Sequence, residues 1–327
     1  MTKRLDRKLA AIQAGAYAPT DFIIADAKDG DMAFGCATPG KAPDGRMKPL
    51  RAYRDDMKKV VASDLVDIML MSVSTAEVLT REGVFAKTEI TPAVRYNDTS
   101  DIWHPRGGTY AKSPALPFRT ALLERTKPLT DLGLYAITLY NDLEQDLHTI
   151  EEYAAFREDA SDAGVRHFLE VFNPAFPVET TTGDFAAYNN DMIARILAGV
   201  SHLDRPIFLK AAYNGPAATE EIAHYDPENL IFGILGGGAG TTRDCLELIA
   251  QAEKYGARVA LFGRKIYYAE DSVLMIRAMR RVIENGITSE EGVKAYHGDL
   301  DAAGIAPHRP LDDDLALTEE VLKANVV

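Results

Sequence analysis

Eight short apolar runs recur along this chain, at residues 22–28, 67–72, 87–96, 134–141, 167–172, 206–213, 230–236 and 258–264. Between them lie stretches with apolar residues at i, i+3 and i+4, clearest over 149–163, 185–197, 242–255 and 272–285. Several runs are apolar on both faces, as in strands of a parallel sheet covered by helices. Strand and helix in alternation, eight times, predict a parallel sheet closed into a (β/α)8 TIM barrel, an α/β fold. A doubly wound sheet is the competing arrangement. It would usually carry a Gly-rich dinucleotide turn after the first strand, and here that turn reads Ala27-Lys28-Asp29-Gly30-Asp31-Met32, with no GxGxxG.

The ends of the helical stretches agree with this parse. Thr242 reads as an N-cap and Gly256 as the C-cap of the same helix, while Gly164 and Gly286 close two others. An amphipathic helix over 3–14 precedes the first strand. After Gly304, Pro307, Pro310 and Asp312-Asp313-Asp314 lead into a last helix, so 304–327 reads as a C-terminal link and helix on one domain spanning 1–327. The Asp run suits a cap and a solvated face better than a metal site. Two excursions exceed what a barrel needs: 36–50, rich in Pro, Gly and Lys, and 97–113, which holds Trp103, His104 and Arg106. Loops of that length at the C-terminal face of a barrel serve as lids or substrate loops, or as plain surface excursions.

A net charge of −13 argues against nucleic acid and anionic membranes as general partners, and leaves room for a local phosphate pocket. No stretch is apolar for the roughly 20 residues that span a bilayer, and the N-terminus lacks an apolar signal core. Cys36 and Cys245 are too few for a disulfide scaffold and form no CxxC. The expectation is a cytoplasmic protein, with homo-oligomerisation common for such barrels. The seven histidines show no HxH or HExxH spacing, so no metal and no cofactor is expected.

Active groups of a barrel come from the C-terminal ends of its strands, so each run can be asked what it delivers there. The sixth delivers Lys210, inside Pro206-Ile-Phe-Leu-Lys-Ala-Ala-Tyr-Asn214. Taking an ammonium out of water favours its neutral, nucleophilic form, which a Schiff-base enzyme needs. Taken alone, the residue also suits a lysine that snorkels to solvent or pairs with a carboxylate. The fifth run delivers Glu170, and the first Asp26 and Lys28, two apart on one strand face. These charges make either a buried ion-pair network or a catalytic site, and one set can be both. Strands seven and eight end in Gly236-Gly237-Gly238 and Gly263-Arg264. Glycine lets backbone N–H groups approach an anion, arginine adds a fork of donors, and loops seven and eight are the usual phosphate site of this fold.

Phe208-Leu-Lys-Ala-Ala-Tyr-Asn-Gly215, the triple glycine and Leu261-Phe-Gly-Arg-Lys-Ile-Tyr267 resemble the class I (Schiff-base) aldolases that group deoxyribose-phosphate, archaeal-type fructose-bisphosphate and tagatose-bisphosphate aldolase. The likeness is strongest over 160–285, weaker on the first strand, and absent over 37–66 and 97–130. It implies a (β/α)8 barrel with Lys210 as the Schiff-base lysine, Asp26 as a proton-handling partner, and Arg264 with the glycines on phosphate. Glu170 matches the tagatose branch, where a carboxylate on the fifth strand assists proton transfer. There are departures. The deoxyribose-phosphate branch calls for a second lysine on the seventh strand, and 230–238 has none. Phe172 stands where the archaeal branch carries a tyrosine acid. The fourth-strand lysine of the tagatose branch is replaced by neutral residues, with Lys28 or Arg95 as candidates to supply its charge.

The implied activity is reversible aldol cleavage of a phosphorylated ketose, with Lys210, Glu170 and Asp26 catalytic and Lys28, Arg95, Gly236, Gly237, Gly238, Gly263 and Arg264 binding substrate. Tyr140 and Tyr213 are further candidate acids, or packing residues. A transaldolase-like or acyl-transfer enzyme using the same lysine, and a non-catalytic sugar-phosphate binding protein, are the rival readings.

Overall fold

The computed structural model describes residues 3–98, 105–109 and 111–323. Eight parallel strands close into a barrel: β1 Ile23–Lys28, β2 Ile68–Met71, β3 Thr91–Arg95, β4 Leu132–Thr138, β5 Arg166–Phe172, β6 Leu209–Ala211, β7 Gly233–Leu235 and β8 Val259–Phe262. Each overlaps one of the eight apolar runs, with β4 and β5 starting two residues and one residue ahead of theirs. The seam is parallel too, with Ile23 opposite Val259 and Asp26 opposite Phe262.

Side chains of a strand point alternately to its two faces, so the closed sheet has two separate cores. Ile23, Ala25, Ile68, Leu70, Ala93, Leu132, Leu134, Phe168, Phe208, Val259 and Leu261 fill the lumen, joined by Leu5, Leu9 and Ile12 of the N-terminal helix α1 (Arg4–Gln13). The alternate residues, among them Phe22, Ile24, Met69, Val94, Tyr135, Leu169, Leu209 and Phe262, face the surrounding helices. Those include α2 (Leu50–Ser63), α3 (Val73–Arg81), α4 (Leu143–Ala163), α5 (Phe185–Ala198), α6 (Pro216–Tyr225), α7 (Thr242–Lys254), α8 (Ser272–Asn285) and α9 (Ser289–Ala302). No helix among the described residues is long and apolar enough to cross a membrane.

Three details differ from the sequence expectation. The fourth helix begins at Leu143, capped by the Asp142 side chain on Gln145 N, rather than at 149. Thr241, not Thr242, caps α7, in a reciprocal box with Asp244. Among the described residues between β3 and β4 there is no long helix; a two-stranded ribbon (Asn97–Asp98 with Phe118–Arg119) and the single turn Leu123–Thr126 lie in the crossover. Gly164 and Gly286 end their helices in the left-handed conformation, as expected.

The N-terminal end of the barrel is tied by one carboxylate. Asp67, buried just ahead of β2, accepts from Arg4 Nε at 2.8 Å, Lys8 Nζ at 3.1 Å, Arg280 Nη2 at 2.8 Å and the Ile24 backbone N–H at 2.8 Å. Burial pushes its pKa up, but the Arg280 and Lys8 charges and the Ile24 hydrogen bond outweigh burial and leave it below the ordinary value. A carboxyl depressed in the folded state contributes stability above its unfolded pKa, and that contribution disappears as pH falls through the folded value. Asp67→Asn is therefore expected to lose on the order of 3–5 kcal/mol at pH 7 in urea unfolding. The gap from wild type should narrow below about pH 4, where the unfolded carboxyl protonates. A gap independent of pH would show that the charge of Asp67 is not what ties this end.

Candidate active site

Strand alternation decides which charges enter the lumen. Arg95, Glu170 and Lys210 share the inward face of their strands with Ala93, Phe168 and Phe208, and emerge at the C-terminal mouth. Glu170 and Lys210 are also register partners across β5 and β6, so their side chains meet. Lys210 Nζ lies 2.5 Å from Glu170 Oε1, and the two are 5% and 1% exposed. The other carboxylate oxygen of Glu170 lies 3.2 Å from Arg95 Nη2. Arg95 Nη1 donates to Asp29 Oδ2 at 2.7 Å and its Nε to the Asn97 carbonyl at 2.7 Å. The result is a buried row, Asp29–Arg95–Glu170–Lys210, of two anions and two cations.

A cavity of about 320 Å³ opens above this row, within the size range of small-molecule sites. Asp29, Arg95, Glu170 and Lys210 line it together with Gly236, Gly237, Gly263 and Arg264. The glycines are needed there. Gly237 has φ +63°, and a Cβ on Gly263 would stand 2.6 Å from the Ala27 carbonyl oxygen. Ala33, Phe34 and Thr38, from the start of the loop after β1, close one side, and Tyr53 and Tyr267 are also in the wall. Tyr267 donates to the Pro39 carbonyl at 3.0 Å, which fastens this loop over the mouth.

Burial is the largest influence on Glu170 and raises its pKa; Lys210 and Arg95 pull the other way without cancelling it. A carboxyl whose pKa is raised by burial holds its proton more firmly than an ordinary one, which suits a group that must act as an acid.

Five sequence candidates do not line this cavity. Asp26 and Lys28 share the face of Phe22 and Ile24, so they point out of the barrel toward α2, and neither lines the cavity. Lys28 Nζ lies 2.7 and 2.6 Å from the two Asp26 oxygens and 3.2 Å from Asp56, with the Tyr267 ring at 5.3 Å, and both Asp26 and Lys28 are fully buried. Burial, partly offset by Lys28, raises Asp26 to about 6. Spacing alone put the two on one face. It did not say which, because β1 is apolar on both sides. Gly238 is likewise outside the cavity lining. Tyr140 accepts from the Ala115 N–H, and Tyr213 donates to Gln251; neither lines the cavity. Trp103 and His104 lie outside the described residues.

Asp29 is a charged residue of the cavity that sequence reasoning passed over. Its position one step beyond β1, at the C-terminal face, was the available signal.

At the level of sequence, no family model and no curated protein matches the chain. Solved structures do. An archaeal fructose 1,6-bisphosphate aldolase is 17% identical over 86% of this chain and 100% of its own, with TM-score 0.62. An archaeal fructose-1,6-bisphosphate aldolase with its catalytic Lys covalently bound to the carbinolamine intermediate is also 17% identical, over 86% of this chain and 99% of that one, with TM-score 0.63. The fructose-bisphosphate aldolase from Slackia heliotrinireducens is 10% identical over 93% of this chain and 92% of that one, with TM-score 0.66. The fold is the (β/α)8 barrel of these fructose-bisphosphate aldolases. At these identities the likeness concerns the aldolase barrel and not its chemistry.

Because Asp26 faces outward and ionising it in the fold is unfavourable, Asp26→Asn, a neutral isostere, is expected to gain stability relative to wild type as pH rises through about 6. The raised pKa of Asp26 fixes the pH dependence of its own contribution. That contribution is full below the unfolded carboxyl value of 3.8 and is lost as pH rises through about 6. Carbonyl adducts on Lys210, counted by reductive trapping and mass mapping, should be unchanged in the folded fraction of the variant. Loss of adduct from folded Asp26→Asn protein would return Asp26 to the catalytic set.

Proposed function

We propose that this chain is a class I aldolase that reversibly cleaves a phosphorylated ketose through a Schiff base on Lys210. The observation that carries the reading is the buried contact of Lys210 Nζ with Glu170 Oε1 at 2.5 Å, in a cavity that also holds Gly236, Gly237, Gly263 and Arg264. Passing one proton across that contact turns an ion pair into a neutral amine and a carboxylic acid. Those are the nucleophile and the acid that imine formation requires.

The amine attacks the ketone carbon, and the carbonyl oxygen takes a proton to give a carbinolamine. Glu170 protonates the hydroxyl, water leaves, and the nitrogen lone pair forms the iminium. A base, for which Glu170 is the nearest carboxylate to Lys210, then removes the proton of the hydroxyl carried by the far carbon of the bond to be broken. That C–C bond cleaves, its electrons flow into the iminium to give an enamine, and an aldehyde departs. Protonation of the enamine carbon and hydrolysis release the second product and restore Lys210. Arg95 holds Glu170 from the side away from Lys210 and is held in turn by Asp29, so the carboxylate keeps one oxygen on the amine. Arg264 and the glycine backbones would receive the phosphate. The structural neighbour with a carbinolamine on its catalytic lysine supports the same use of this barrel.

Borohydride reduction in the presence of ketose phosphates should leave a stable adduct that maps to Lys210, and Lys210→Met should form none. Glu170→Gln is expected to slow turnover by about 10²–10⁴-fold, the usual worth of a general acid–base group, with inorganic phosphate affinity retained. An adduct on another lysine, or full activity in Lys210→Met, overturns the assignment. Tight phosphate binding with no adduct on any lysine would favour a binding protein.

A further inference from the structure

The glycine loop after β7 carries almost no side chain with which to hold itself. Residues 236–240 read Gly-Gly-Gly-Ala-Gly, and Gly237 and Gly240 both have positive φ, at +63° and +64°. Such a segment loses more backbone entropy on ordering than any other, so a loop that is to present N–H groups to an anion needs external restraint. That restraint comes from the far end of the chain. Arg309 Nη1 donates to the Gly240 carbonyl at 2.9 Å, and Thr241 Oγ1 donates to the Ala316 carbonyl at 2.8 Å. Asp314, itself held by Arg309 and His297, accepts from the Thr242 N–H at 2.8 Å. Asp244 takes the N–H groups of Thr241, Thr318 and Glu319 at 3.0, 2.8 and 3.2 Å, together with the Thr318 hydroxyl.

The loop after β8 is gripped by the same segment. Lys265, next to Arg264, has a fully buried side chain whose Nζ meets Glu319 Oε1 at 2.7 Å. Leu322 is fully buried, and its carbonyl accepts from Gln251 of α7, which anchors the strap beyond both contacts. One segment, residues 309–322, therefore fixes the two loops that meet at the proposed phosphate position. None of Arg309, Asp314, Thr318 or Glu319 lines the catalytic cavity, so each acts on it through the loops.

We infer that Asp314 and Glu319 are positioning residues for the anion site: they set its affinity for the substrate's phosphate and leave the Lys210 chemistry alone. This rests on the reading of Gly236, Gly237, Gly263 and Arg264 as a phosphate site. The sequence expectation for the Asp run is a cap and a solvated face; Asp312 and Asp313 are exposed accordingly, and Asp314 departs from it. Asp314 is 1% exposed and spans the tail and the loop.

The test uses the full chain and inorganic phosphate, with calorimetric affinity as the first readout. The second is the rate of borohydride trapping on Lys210 by dihydroxyacetone, a ketone with no phosphate. Glu319→Gln and Asp314→Asn should each weaken phosphate by about tenfold, as expected when binding groups are misplaced by a fraction of an ångström. Trapping by dihydroxyacetone should stay at the wild-type rate. Glu319→Asp, which keeps the charge facing Lys265, should recover part of the lost affinity. Unchanged phosphate affinity in both variants overturns the inference. A loss of trapping in step with the loss of affinity also overturns it, because the strap would then support the whole barrel and not the anion site. The two readings separate in the wild-type protein. Without any Lys210 adduct, phosphate binding that the variants weaken removes the Schiff base and keeps the strap; absence of phosphate binding removes the strap whatever Lys210 does.

Discussion

The pleat of a closed parallel sheet governs this molecule. Each strand of the barrel is buried on both sides, so alternation along the strand is a choice between two interiors, the lumen and the layer beneath the helices. A charged residue in the interior of a strand has no solvent-facing option and must find its counter-charge in whichever interior its parity selects. Arg95, Glu170 and Lys210 fall on the lumen side, where the C-terminal mouth brings them together. Asp26 and Lys28 fall on the other side and satisfy each other against Asp56.

The barrel was legible from the sequence because its signal is repetition. Eight apolar runs stand at strand spacing with helical patterns between most of them, and the structure has a strand in each. Lys210 and Glu170 were legible for a related reason: a lone charge inside an apolar run stands out, and their strands run parallel as neighbours. Parity was hidden in β1. Ile23-Ile24-Ala25 is apolar on both faces, so no hydrophobic alternation marks which side Asp26 takes. Asp29 was hidden by its place in a turn-like Asp-Gly pair. The role of 309–322 was hidden more deeply, since bonds such as Thr242 to Asp314 span 72 residues and leave no local pattern.

Three of the buried charge groups lie at different places in the barrel. At the N-terminal end, Asp67 gathers Arg4, Lys8 and Arg280 and ties α1 and α8 to the sheet. Under α2, Asp26, Lys28 and Asp56 join the first strand to its first helix. At the mouth, Asp29, Arg95, Glu170 and Lys210 make a balanced row. The forces are the same in all three. What distinguishes the last is the open volume above it, where a ligand can take the place of one of the internal partners.

The seam between β1 and β8 has a consequence for how far this barrel can be divided. Asp29 and Arg95 come from the first half of the chain, whereas Glu170, Lys210, Gly236, Gly237, Gly263 and Arg264 come from the second. Gly263 sits so close to the Ala27 carbonyl that the last strand's loop takes its shape from the first strand. Neither half of the barrel holds a complete set of groups, and the halves share one wall at Gly263. The mouth is thus indivisible as a constellation of charges: duplicating or exchanging four-stranded halves would rebuild the sheet while leaving the charges of its mouth without their partners.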